Sequence, residues 1–249
     1  LRGTRVAQRI AHRHRRLARI AAAWRRADRS IYNRGDPGSG LSRRRPSGKV
    51  TPMSTKRQDI IDTATRLFAE HGYHAVGTDR IIKESGVAKM TLFRNFPTKN
   101  DLISEVLTQR AHQALASMTQ AVSTRGTPIE RLQELFDWHG RWFRARDFAG
   151  CMFVGALSEF HSDSGEIIRI SVAQKANLRL FVQGLMIDLV EPAAAERVAR
   201  QIVMLLDGAT IAAVAGDRDH AAQDAWEVAK KLIEEHGGAA SKPRGARRA

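Results

Sequence analysis

Gly77-Thr78-Asp79-Arg80-Ile81-Ile82-Lys83-Glu84-Ser85-Gly86-Val87-Ala88-Lys89-Met90-Thr91-Leu92-Phe93-Arg94-Asn95-Phe96 is the stretch whose reading decides the fold. It reads as a short helix, a tight turn and a second short helix. Gly86 supplies the positive φ that lets the chain turn sharply between them. Ile81, Ile82, Val87, Leu92 and Phe96 are spaced to seal the pair onto a preceding helix. That leaves Lys89, Met90, Thr91, Arg94 and Asn95 pointing outward. A short helix with a polar and basic outer face, braced by a partner at a steep angle, fits a DNA major groove. The spacing alone also describes an ordinary corner between two helices, and it leaves both readings open.

Working outward, everything from Thr55 reads as helix after helix, with no run of alternating β-branched residues. The expected fold is all-α. Thr55 with Gln58, Thr98 with Asp101 and Thr127 with Glu130 have capping-box spacing, and Pro128 suits a first helical position. Helix one places Ile60, Ile61, Ala64, Leu67 and Phe68 on one face and stops at Gly72. A long helix follows Thr98. Further helices are expected over Pro128–Arg144 and about Gly150–His161, Gly165–Leu189, Pro192–Ala215 and Asp219–His236.

Charge is a weak guide to function here. The chain has 249 residues and a net charge of +15, but residues 1–52 hold 14 Arg and Lys49 against Asp28 and Asp36. They carry +13 of that total and leave +2 for the rest. Residues 1–53 are Arg- and Ala-rich and then rich in Gly and Pro. They are expected to be a disordered basic extension: the product of an upstream start codon, an arm for DNA phosphates, or a targeting segment. Met53 stands directly before the first well-formed helix, and Leu1 opens the chain, which favours the first of these. Residues 237–249 are expected to be a disordered basic tail. One cysteine, Cys151, gives no disulfide framework and fits a cytoplasmic location.

Residues 55 to about 115 resemble the DNA-binding domain of the TetR family of bacterial regulators. The matching elements are Ala64, Leu67-Phe68 and Gly72-Tyr73; then Ile81 and Gly86-Val87; then Thr91-Leu92-Phe93, Phe96, Lys99 and Leu102. The resemblance implies a DNA-binding domain over 54–115 with a recognition helix at about Lys89–Phe96. It further implies a phosphate-holding Lys99 at the next helix N-terminus. Thr78, Lys89, Met90, Thr91, Phe93, Arg94, Asn95 and Lys99 are the expected DNA-contacting residues. Phe93 keeps the packing of the family's usual Tyr without its hydroxyl. Asn95 stands at a usual His, and Gly77 at a usual hydroxyl cap.

The resemblance implies that residues 116–236 form a helical domain for ligand binding and dimerisation. Its apolar material is plentiful, and a cavity for an apolar or aromatic effector is expected among Trp138, His139, Trp142, Met152, Glu159, Phe160 and Phe181. Cys151 suits either a small core residue or, beside Arg144 and Arg146, a redox sensor. The stripe Val198, Ile202, Leu205, Leu206 and Ala209, with Ala212 and Ala213, is expected to meet Trp226, Ala229 and Ile233 across a homodimer. The same faces would also suit core within one chain. The motifs for a zinc site, a di-iron bundle, a phosphate-binding loop and a serine nucleophile elbow are absent. His71 and His74 flank a turn and suit surface positions better than a shared metal. The expected protein is no enzyme and uses no cofactor. It is a homodimeric transcription regulator, a repressor released from a near-palindromic operator by a small effector. The alternative is a DNA-binding protein without one.

Overall fold

Gly86 takes φ 68° and ψ 15° and closes a helix by donating its N–H to the Ile82 carbonyl. The chain turns there because only glycine adopts that left-handed conformation without steric cost. In the computed structural model, residues 52–161 and 165–237 are described, all of them within one unit of the chain. The helices among them are α1 (Pro52–His71), α2 (Thr78–Ser85), α3 (Lys89–Asn95) and α4 (Lys99–Ser123). They continue with α5 (Pro128–Phe143), α6 (Met152–Glu159), α7 (Gly165–Met186), α8 (Pro192–Val214) and α9 (Ala221–His236). Among the described residues there are no strands, as the helical periodicity requires.

The disorder expected of residues 1–51 and 238–249 lies outside the described residues. Pro52 and Met53, expected in the basic extension, instead open α1. Thr55 therefore stands inside the helix rather than before it. Proline's fixed φ suits a first helical turn, and Gln58 donates its amide N–H groups to Asp62 and Gln109. The other two capping boxes form. Thr98 Oγ1 accepts the Asp101 N–H while Asp101 accepts the Thr98 N–H, and Thr127 and Glu130 do the same.

α1, α2 and α3 pack together around Ile60, Ile61, Leu67, Phe68, Ile81 and Leu92, all of them sealed from solvent. The 25 residues of α4, about 37 Å at 1.5 Å per residue, touch α1 in the first half of the molecule and α5 and α7 in the second. The second half is a bundle in which α7 packs on α4, α5, α6 and α8, while α9 packs on α5 and α8. Among the described residues no helix is long and apolar enough to cross a membrane.

Most of the expected dimer stripe is core within the chain, with Leu205 and Ala212 half-buried. Val198, Ile202, Leu206, Ala209 and Ala213 are buried on α8, as are Trp226, Ala229 and Ile233 on α9, where Trp226 stacks on Phe136. The most continuous apolar stripe faces the chain's own bundle because that is the larger hydrophobic surface. A second set, Met204 (72% exposed), Ile211 (55%) and Val228 (45%), lies on the outside of α8 and α9.

Candidate nucleic-acid interface and the chamber behind it

α3 has seven residues, and its outer face carries Lys89, Met90 (71% exposed) and Arg94, with Thr91 half-buried beside them. Its inner face is anchored by Leu92, and Phe96 is pinned under the Arg57 guanidinium at 5.0 Å. Ala88 starts the helix without a side-chain cap, so the first N–H groups of α3 are not held by a side chain. Lys89 Nζ lies 3.8 Å from Asp79, both strongly exposed, which is a weak tether.

The other expected DNA contacts are placed differently. Asn95 donates its amide to the Thr91 carbonyl at 2.7 Å, so its N–H donors face its own helix. Phe93 is half-buried, in keeping with a packing role. Thr78 is half-buried at the start of α2 behind an N-cap Gly77 that makes no side-chain bond. Lys99 leans toward the turn between α1 and α2, with Nζ 3.5 Å from the His74 carbonyl. Partial burial lowers its pKa, and the Glu159 carboxylate counters that shift.

Glu159 has a different place from the one expected of it. Its carboxylate accepts the N–H groups of Tyr73 (3.0 Å) and His74 (2.8 Å), in the turn after α1. His74 Nε2 lies 2.8 Å from the Glu159 carbonyl, and the Tyr73 hydroxyl donates to the Met152 carbonyl at 2.8 Å. Burial keeps that hydroxyl protonated, pushing its pKa far up. Phe160 stacks on Tyr73 (5.5 Å) and His74 (4.8 Å). Gly72 (φ 80°) permits this approach, since a Cβ there would lie 2.8 Å from Glu159 Oε1. Glu159 and Phe160 therefore clasp the two halves together and line neither the chamber nor the groove between α1 and α4. They sit at the far end of α6 from Met152, seven and eight residues or about 10–12 Å away. His71 bonds Arg80 instead, so the two histidines flanking the turn serve separate partners.

The chamber lies among α4, α5, α7 and α8 and the start of α6. It holds about 70 Å³ and is walled by Trp138, Trp142, Met118, Met152, Phe153 and Leu178. Of the residues expected at an effector site, Trp138, His139, Trp142 and Met152 line it. Phe181 does not: it is sealed in the core two turns along α7 from Gln174, beyond the chamber's end.

The polar groups of the chamber come largely from positions that sequence reasoning passed over. Lys175 and Asp207 form an ion pair at 2.5 Å, Lys175 Nζ lies 3.9 Å from Cys151 Sγ, and Gln174 is buried with its amide oxygen unpartnered. Cys151 is half-buried at the chamber wall beside Lys175, while Arg144 and Arg146 are exposed. The legible signal was a run of polar residues, Ser171, Gln174 and Asn177, on the buried stripe of α7. His139 is buried, and its Nδ1 lies 2.8 Å from the Leu135 carbonyl. Burial above all lowers its pKa to about 4, so the ring is neutral near pH 7 and leaves Nε2 as an acceptor. Outside the chamber a groove of about 590 Å³ runs between α1 and α4 and shares Arg110, Trp138, Trp142 and Met152 with it.

Residues 60–106 match the family of bacterial regulatory proteins, tetR family. The chain is 35% identical over 85 residues to an uncharacterized HTH-type transcriptional regulator, YxaF of Bacillus subtilis (strain 168), covering 34% of this chain and 44% of that one. It is 33% identical over 114 residues to the HTH-type transcriptional regulator LmrA of the same organism, covering 45% of this chain and 61% of that one. The matches thus span about half the length of these relatives. In fold, it is similar to a TetR-family transcriptional regulator from Streptomyces coelicolor, with a TM-score of 0.70 at 26% identity over 74% of this chain and 97% of that one. The proteins it resembles are transcriptional regulators, and residues 60–106 of this chain are similar to the DNA-binding part of the TetR family.

Proposed function

We propose that this chain is a DNA-binding transcriptional regulator, a repressor that holds its operator as a homodimer and releases it when a small effector enters the chamber. One observation carries the reading: the outer face of α3, with Lys89, Met90 and Arg94 exposed and Thr91 half-buried, stands on a sealed three-helix support within the family match. Residues 54–115 are the DNA-binding domain and residues 116–236 the effector and dimerisation domain. Arg94 and Lys89 contact DNA directly. Lys99 is in reach of a phosphate once it leaves the His74 carbonyl.

A single short recognition helix reads too few base pairs for strong specificity, whereas a two-fold dimer reads two half-sites about 34–36 Å apart. The outer faces of α8 and α9 supply the surface for a second copy. Gly208, with open space around it, lies on the same face of α8 as Met204 and Ile211 and allows close approach. A chamber with aromatic walls and an unpartnered amide supports the ligand-responsive reading over a regulator without an effector.

The test is selection of bound sequences from a random DNA pool, followed by affinity at two salt concentrations. A near-palindromic site with a steep salt dependence is expected, because phosphate contacts release counterions. Selection of no sequence, or affinity unchanged by Arg94→Ala and Lys89→Ala together, would overturn the reading.

A further inference from the structure

The chamber and the groove outside it divide the effector into two parts. At about 70 Å³ the chamber is under half of the roughly 150 Å³ that takes up a benzene ring. It has room for a head group alone. The groove, at about 590 Å³, lies within the roughly 300–1,000 Å³ range of small-molecule sites. Trp138, Trp142 and Met152 line both. A flat ring at this mouth therefore rests against two indoles and points its substituent inward.

The chemistry of the head follows from what the chamber leaves unsatisfied. Gln174 is 8% exposed, and its amide oxygen has no hydrogen-bond partner among the described residues. His139, with Nδ1 bound to the Leu135 carbonyl, offers Nε2 as a second acceptor. Both acceptors call for a donor. Lys175 and Asp207 satisfy each other, and Arg110, shared with the groove, adds a second cation to the chamber wall. An anionic head has no proton to give Gln174 or His139, and a cationic head would be buried beside Lys175 and Arg110 with Asp207 already paired. A hydroxyl donates its one proton to Gln174, the acceptor without a partner, and accepts from Lys175.

The geometry points to an effector with an uncharged hydroxyl head seated in the chamber on Gln174 and an aromatic body in the groove against Trp138 and Trp142. This rests on reading the chamber as the effector site. The probes are phenol, toluene and benzoate, alike in ring and different in head. Their binding to the full chain is measured by equilibrium dialysis. Phenol is expected to bind about threefold to tenfold more tightly than either of the others, the equivalent of one net hydrogen bond. Gln174→Met is expected to erase the preference over toluene while toluene binding stays within about twofold. Should that variant lose its helical circular dichroism, Gln174→Asn, which withdraws the amide by one methylene, takes its place with the same expectation.

Toluene equal to phenol, benzoate the tightest, or a preference that survives the substitution would each overturn the hydroxyl head and leave the chamber a binding site. Binding of none of the three would overturn the effector-site reading itself, and the inference with it. Operator selection is independent of all these outcomes.

Discussion

Substituting Glu159 by Ala should loosen the joint between the two halves, and the structure sets the size of the effect. Each carboxylate oxygen takes one backbone N–H, from Tyr73 at 3.0 Å and His74 at 2.8 Å. Hydrogen bonds to a charged group contribute about 1.5–3 kcal/mol each, and half-burial places these at the lower end, so Glu159→Ala should cost about 3 kcal/mol. Gly72→Ala attacks the same joint from the other side. The left-handed φ of 80° costs a non-glycine residue about 1–2 kcal/mol, and the new Cβ, 2.8 Å from Oε1, must also push the carboxylate off its donors. The two substitutions therefore remove the same bonds once. In the Glu159→Ala background, Gly72→Ala should cost only its backbone strain, about 1.5 kcal/mol, giving a coupling of about 1.5–3 kcal/mol. Urea unfolding of the four proteins at one fixed chain concentration measures this, with the m-value checked for constancy. A Glu159→Ala cost below about 0.5 kcal/mol, or full additivity of the pair, would refute the clasp.

Four further outcomes are expected. Arg94→Ala and Lys89→Ala should each weaken operator binding by about 1–3 kcal/mol and leave the thermal melt unchanged, with a flatter salt slope where the lost contact was to phosphate. Because burial lowers the His139 pKa from 6.5 to about 4, the unfolded chain takes up a proton there that the folded chain refuses. Stability should fall as pH drops from about 6.5 to 4, by up to about 3 kcal/mol, and urea midpoints at the two ends should show that part missing in His139→Phe. Met204→Arg with Ile211→Arg should give a folded monomer by sedimentation, since two charges on the outer face of α8 would be buried against their own copies. Tyr73→Phe keeps the ring contacts with Phe68 and Phe160 and loses the bond to Met152. Operator affinity with and without effector should show the coupling reduced by about 1 kcal/mol and affinity without effector nearly unchanged.

Legibility in the sequence followed the range of the interactions. Gly86, the apolar spacing from Ile81 to Phe96 and the boxes at Thr98 and Thr127 act within a few residues, and each could be read without a fold. The chamber's aromatic wall was legible because Trp138, His139 and Trp142 follow helical spacing on one short helix. Its polar end was not: Gln174 and Lys175 come from α7, Asp207 and Thr210 from α8, and only packing brings them together. Glu159 misled for a related reason. A carboxylate at the end of an apolar helix suggested a ligand, but its partners are backbone N–H groups some 85 residues earlier, and backbone donors have no sequence signature. The dimer stripe misled because apolar content is greatest where the chain packs on itself. The outer set of Met204, Ile211 and Val228 is sparser and broken by Arg200 and Gln201.

α6, like the longer α4, reaches both ends of the proposed response. Met152 and Phe153, at its start, line the chamber, and the Met152 carbonyl holds the Tyr73 hydroxyl. Glu159, at its end, and Phe160 just after it hold the turn between α1 and α2. A helix of eight residues shortens or bends little, so an effector that displaces Met152 acts on both attachments at once. Coupling between an effector and an operator is typically about 1–3 kcal/mol. One or two hydrogen bonds of the kind Tyr73 and His74 make to α6 amount to about as much. No large rearrangement is then required: weakening the Tyr73–Met152 bond and one Glu159 bond already supplies the difference. The groove adds a second route, since Asp62, Arg66 and Glu70 of α1 form its far wall, opposite Trp138 and Trp142. An effector body long enough to touch α1 would press directly on the helix that supports α3. Substitutions in α6 and substitutions in that wall should therefore separate a short effector, sensitive only to the first, from a long one, sensitive to both.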